Sequence, residues 1–194
     1  PSTSAAQEAN DPVLAGYDNG FVLRSADGAN SLRLMGLLQL QLAHEQVAGS
    51  PSTQTVFVNR ARVGLVGSLV SRDLRYMLVV EFGGANVQLL FATIDYTVLP
   101  NWLSVRVGRF KLPFSRTFIT MASQLSLIDR PLTVGPSVFG DTVDVGIALH
   151  NGTNGPFEYS VGLFSGAGSR DPASHIDPLL SVRVGYNHGD LEGY

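Results

Sequence analysis

Hydrophobic and polar residues alternate along most of this chain with a period of two. From Ser31 to Gln46 one set of alternate positions reads Leu32, Leu34, Gly36, Leu38, Leu40 and Leu42. The intervening set reads Ser31, Arg33, Met35, Leu37, Gln39 and Gln41. Successive side chains of an extended chain point to opposite faces, so this segment predicts a strand with one apolar and one largely polar side. The pattern recurs. Leu74, Tyr76, Leu78, Val80 and Phe82 share a side opposite Asp73, Arg75 and Glu81. Leu90, Ala92, Ile94, Tyr96 and Val98 stand opposite Thr93 and Asp95. Val143, Val145, Ile147 and Leu149 oppose Asp144 and His150, and Phe157, Tyr159, Val161 and Leu163 oppose Glu158 and Ser160. Leu180, Val182, Val184 and Tyr186 oppose Ser181 and Arg183.

Turn residues separate these runs: SADGAN at 25–30, AGSPST at 48–53, GGAN at 83–86, LPN at 99–101 and NGTNGP at 151–156. Their Gly, Pro, Asn and Asp content is what tight connections require. A helix is suggested only around Ser123–Asp129. The chain is therefore predicted to be all-β.

A soluble sandwich also alternates, so strand length and the placement of aromatics carry the distinction. The runs Ser31–Val47 and Gln54–Leu69 exceed the roughly 5–6 residues of globular strands and reach the roughly 9–11 needed to cross a bilayer. Phe82, Tyr96, Trp102, Phe157 and Tyr186 sit near strand ends, where outer-membrane barrels carry their aromatic girdles. Composition points the same way. Charged residues make up 15% of the chain, against roughly 25% in soluble domains. No run approaches the roughly 20 apolar residues of a spanning helix. The opening PSTSAAQEANDP is polar, as in a processed secreted protein or an ordinary cytoplasmic one, and lacks the apolar core of a secretory signal. The prediction is a transmembrane antiparallel β-barrel.

Connection lengths predict its topology. With Phe21–Ser25 as a short periplasmic strand and Ser31–Val47 as the first crossing, the periplasmic turns fall at 70–72, 99–101 and 150–156. The outer loops fall at 48–53, 83–86, 113–142 and 165–178. Short periplasmic turns with longer outer loops match the asymmetry of such barrels. Residues 1–19 are expected to form a periplasmic tail and residues 20–194 the barrel. A loop as long as 113–142 is usually functional, and folded inward it would narrow a lumen; a surface excursion is the plain alternative.

A family likeness emerges from motifs in this order: GYDNGFVLRS at 16–25, SLRLMGLLQLQ at 31–41, NRARVGLVG at 59–67, LSVRVGRFKLPFS at 103–115, LSLIDRPL at 125–132 and DTVDVGIAL at 141–149. Together they resemble the N-terminal half of the phosphate-selective porin O and P family, from about Gly16 onward. The resemblance implies an outer-membrane trimer of barrels with about sixteen strands each, within the 8–26 of bacterial barrels. It also implies an arginine-rich lumen passing phosphate or polyphosphate. About eight crossings are legible here, so the sequence is expected to be about half of such a barrel. Regular alternation also stops at Tyr186, whereas His188, Asp190 and Glu192 precede the final Tyr194. A complete barrel of about eight strands, its interior filled by side chains, is the alternative.

The basic residues are almost all arginine, whose planar fork of donors suits phosphate and carboxylate oxygens. Arginine on a spanning strand must face the lumen, since exposure to lipid at mid-bilayer costs roughly 2–4 kcal/mol. Arg60 and Arg62 share a face, two residues apart. Arg106, Arg33 and Arg183 are placed inward by parity. Arg109 and Lys111 share the parity of Val105 and Val107, which puts them on the lipid side, unless they reach the headgroups or a bulge changes the register. Arg116 and Arg130 bracket the long loop. The candidate anion contacts are thus Arg60, Arg62, Arg106, Arg33, Arg183, Arg130 and Lys111. Against strong selectivity stand the net charge of -3 and the inward parity of Asp73, Glu81, Asp95, Asp144 and Glu158, which would leave the wall merely hydrated.

Other chemistries find little support. With no cysteine, thiol catalysis and Cys-based metal sites are excluded. His44, His150, His175 and His188 show no metal-ligand spacing. His175 with Asp171 and Asp177 reads as a solvated loop before it reads as a calcium site. GAGSRD at 166–171 lacks the lysine and the strand–helix context of a phosphate loop. No enzyme, cofactor or nucleic-acid partner is expected. The expected partners are outer-membrane lipid, small anions and two further copies in a homotrimer. A plugged barrel within a larger surface complex and a soluble all-β ligand-binding module are the rival functions.

Overall fold

The computed structural model describes residues 14–83, 86–125, 143–153, 155–166 and 178–188. The strands are β1 (Leu14–Tyr17), β2 (Phe21–Arg24), β3 (Ser31–Glu45), β4 (Thr53–Leu69), β5 (Ser71–Glu81), β6 (Gln88–Leu99), β7 (Leu103–Lys111), β8 (Val143–His150), β9 (Phe157–Phe164) and β10 (Leu179–Tyr186). They form one 10-stranded antiparallel sheet in which each strand pairs with its chain neighbours. No pairing joins β10 to β1, so among the described residues the sheet is an open, partial barrel wall. Among the described residues β1, Leu14–Tyr17, lies within the segment 1–19 expected to be a tail. The helical turn also comes earlier than expected: α1 is Arg116–Ile119, followed by a 3₁₀ turn at Ala122–Gln124. Residues 126–129 of the expected helix lie outside the described residues.

The two faces of the sheet differ as the alternation requires. On one face large apolar side chains are open: Leu38 is 66% exposed, Leu40 60%, Val145 52% and Val182 60%. No second sheet covers them among the described residues, so the sandwich alternative has no counterpart here. The other face carries Thr93, Asp95, Asp144, His150 and Glu158, all buried. A sheet polar on its covered side and apolar on its open side is the inverse of a soluble core, and it fits a wall with lipid outside.

Bulges reconcile the register with this division. Gln39 pairs with Arg60 but Leu40 pairs with Val58, leaving Asn59 as the extra residue of β4. Arg60 and Arg62 therefore share the polar face with Gln39 and Leu37, while Val56 and Val58 join the apolar face with Leu42 and Leu40. One even-numbered series thus serves both faces because the bulge resets the alternation. A second shift, between Val79 and Val80, leaves Leu90 unpaired in β6.

The connections 70 and 100–102 are tight. Val70 and Asn101 take left-handed backbone conformations there, with φ of 66° and 64°. Gly108, inside β7, has φ 126°, and a Cβ at that position would strike the Ala92 carbonyl oxygen. No side chain fits between β6 and β7 at this point.

Candidate functional site

The chain leaving the end of β7 turns back across the polar face. Ser115 caps α1, its side chain accepting from Phe118 N at 3.2 Å. Arg116, the first residue of the helix, reaches to the start of β9, where its Nη1 donates to Glu158 Oε1 at 2.6 Å and to Asn187 Oδ1 at 2.8 Å. At the other end of this segment the Lys111 ammonium donates to the carbonyl oxygens of Phe118, Ile119 and Thr120 at 2.9, 3.2 and 2.7 Å. The ammonium also lies over the Phe91 and Phe118 rings. Carbonyls at a helix C-terminus lack intrahelical partners, and a cation satisfies them.

Between this segment and the sheet lies a cavity of about 310 Å³. Arg106, Lys111, Arg116 and Arg183 line it, together with His150, Thr120, Gln124 and the apolar Met77, Phe91 and Phe110. Phe110 and Ala148 of this lining belong to a small core that also includes Phe164, with Leu112 packed against it. Gly146 and Gly162 leave room for the Phe164 ring, which a Cβ at either position would contact at 2.6 Å.

Carboxylates behind the wall hold the cations in place. Asp95 Oδ2 accepts from Arg106 Nε at 2.8 Å, and Arg106 Nη2 lies 2.6 Å from the same oxygen. His150 Nδ1 accepts from Gly152 N at 3.1 Å. A backbone N–H only donates, so the imidazole proton sits on Nε2, which donates to Asp95 Oδ2 at 3.0 Å. Arg75 stands 3.7 Å from the other Asp95 oxygen. Glu158 is fully buried and accepts from Arg116, from Arg183 Nη2 at 2.8 Å and from Asn187 Nδ2 at 2.8 Å.

The residues expected from the sequence separate into groups. Arg106, Arg183 and Lys111 meet at the cavity. Arg60 and Arg62 stand apart from it on β4, Arg60 donating to Gln39 at 2.7 Å and Arg62 Nε to Glu81 Oε2 at 2.6 Å. Glu81 further accepts from the backbone N–H groups of Ala61 and Gly83. Arg33 lies away from both, paired at 2.8 Å with Asp18 of the β1–β2 turn. Arg130, Asp171, His175 and Asp177 lie outside the described residues.

Lys111 corrects the parity argument. No register shift occurs near it, since Arg109 pairs with Ala92 and Lys111 with Val143 in unbroken ladders. Arg109 stays on the side of Val105 and Val107 and donates to the Leu89 carbonyl. Lys111, the last residue of its strand, swings its flexible stem over the end of β7 onto the polar side. Parity assigns the Cβ direction and not the place of a long chain's charged tip. Sequence reasoning also missed the joining roles of Glu158 and Asn187. Glu158's inward parity was the available signal, but nothing in the spacing linked it to Arg116.

An open antiparallel wall with an apolar outer face, a polar inner face and a cation-lined cavity under an infolded loop defines a porin-type barrel segment. The model of the family described as phosphate-selective porin O and P matches residues 42–179, and the chain belongs to that family of outer-membrane porins. No curated protein matches the chain.

Proposed function

We propose that this chain forms part of an anion-selective outer-membrane channel and that the loop after β7 narrows its lumen. The observation that carries the reading is the cavity lined by Arg106, Lys111, Arg116 and Arg183. Rings of arginine and lysine are how pores favour anions over cations. The family's name points to phosphate as the permeant species, and guanidinium forks fit its oxygens. Asp95 and Glu158 temper the positive charge, which keeps a bound anion able to leave. Lipid contacts the Leu38–Leu40–Leu42 and Val182–Val184 rows, and the assembly is a homotrimer.

The test is electrical. Reconstituted in a planar bilayer, the complete protein gives current steps whose reversal potential in a potassium chloride gradient has the sign of anion preference. Replacing both Arg60 and Arg62 by Ala lowers the chloride-to-potassium permeability ratio. Absence of current steps removes the channel reading, and cation preference removes the anion reading.

A further inference from the structure

A second cavity, of about 620 Å³, adjoins the turns at 100–102 and 151–156, with Arg72, Arg75, Thr97 and Ser104 in its lining. His150, Gly152 and Thr153 line both this cavity and the first, and so stand between them. Each part of that partition is tied down. Asn151 holds the turn to β9, its Nδ2 donating to the Phe157 carbonyl and its Oδ1 accepting from Tyr159 N, each at 2.8 Å. The Thr153 carbonyl accepts from Arg116 Nη2 at 3.4 Å. Between these anchors Gly152, at φ 87°, directs its N–H onto His150 Nδ1 at 3.1 Å.

The tie at His150 holds only while Nδ1 carries no proton. The residue is buried, and its Nε2–H is committed to Asp95 Oδ2 at 3.0 Å, which leaves Nδ1 as the acceptor. An imidazolium carries a proton on both nitrogens. Nδ1–H would then face the Gly152 N–H, donor against donor, and turning the ring over would bring no relief. Charged groups face His150 from the surrounding elements. Asp95 of β6 touches it and is a counterion at hand for the cation. Arg106 of β7 and Arg75 of β5 bear on the same carboxylate. Arg116, Arg183 and Lys111 face the first cavity and Arg72 the second. Glu158 of β9 pairs with Arg116 and Arg183. The residues paired with His150 across the sheet, Ser104 of β7 and Ser160 of β9, are uncharged. We propose that His150 is a proton-controlled hinge: its protonation releases Gly152, and the partition between the two cavities opens. The effect on current rests on the anion-channel reading above.

Histidine is the side chain that ordinarily changes charge between about pH 8 and 5. As the pH falls over that range, hydrogen exchange at the wild-type Gly152 amide, corrected for intrinsic rates, accelerates by about tenfold, the factor of one lost hydrogen bond. Single-channel conductance of the complete protein in planar bilayers rises over the same interval. It is recorded in roughly 1 M potassium chloride, where a Debye length of about 3 Å confines the influence of the added charge itself. In His150→Gln, which does not titrate, both steps are absent. The exchange step is read in the wild type, so it decides even where the variant fails to assemble. A wild type without the exchange step, or either step persisting in His150→Gln, overturns the inference. Wild-type channels whose conductance ignores pH overturn it too and leave the channel reading intact. Absence of current at every pH overturns the channel reading and, with it, the control of current by His150.

Discussion

The Lys111 ammonium donates to the Thr120 carbonyl oxygen at 2.7 Å, nine residues further along the chain. With Phe118 and Ile119 also supplying oxygens, the contact latches the infolded segment to the end of β7. All the donors of an ammonium group are then committed to the fold. Lys111 contributes charge to the cavity without being its most adaptable ligand.

Removing the latch is expected to open the passage. Lys111→Met keeps an apolar side chain of similar length and deletes the donors. Three carbonyl oxygens lose their partner, each at a cost of about 1–3 kcal/mol where water does not replace it. The segment 113–125 then moves away from the wall. Single-channel conductance should rise, and unchanged conductance would show that the latch does not set the width.

Val70 stores strain that a substitution can release. It is a β-branched residue at φ 66° and is 82% exposed. The left-handed region costs such a residue about 1–2 kcal/mol. Its N–H donates to Asn30 Oδ1 at 2.8 Å, a bond that any residue but proline retains. Val70→Asn is expected to stabilise the folded barrel by about 1 kcal/mol, since asparagine tolerates this conformation. Equilibrium unfolding in detergent or lipid would measure it, and a midpoint shift to lower denaturant would refute it.

The turn at 25–30 should show acid sensitivity. The hydrogen bond from Ser25 Oγ to Asp27 Oδ1, then that from the Ala29 N–H, hold the Asp27 carboxyl below its usual 3.8. A depressed folded value means that the contribution is present above 3.8 and is lost as the pH falls through the lower folded value. Asp27 is fully exposed, so the effect is local. Hydrogen exchange at the Ala29 amide should accelerate in the wild type as the pH drops below 3.8, after correction for intrinsic rates. In Asp27→Asn the exchange should lack that step. A wild type without the step would disprove the argument.

Much of this architecture is legible in the order of residues because it depends on the shortest-range rule of an extended chain, that neighbours point apart. Leu38 and Leu40 face one way and Gln39 and Gln41 the other wherever the strand is placed. Turn residues mark the ends, and the motif from Leu103 to Ser115 carries the family likeness. These facts decided an all-β wall, its apolar face and the inward direction of Arg106 and Arg183. What only the tertiary structure decided lies where parity fails or contacts are long-range. The Asn59 bulge lets Val58 and Arg60 face opposite ways in one numerical series. Lys111 escapes its parity because a four-carbon stem at a strand end is not bound by the direction of its Cβ. Glu158, Arg116 and Arg183 meet because a loop folds back across strands that the chain reaches only later, and no local pattern encodes such a meeting.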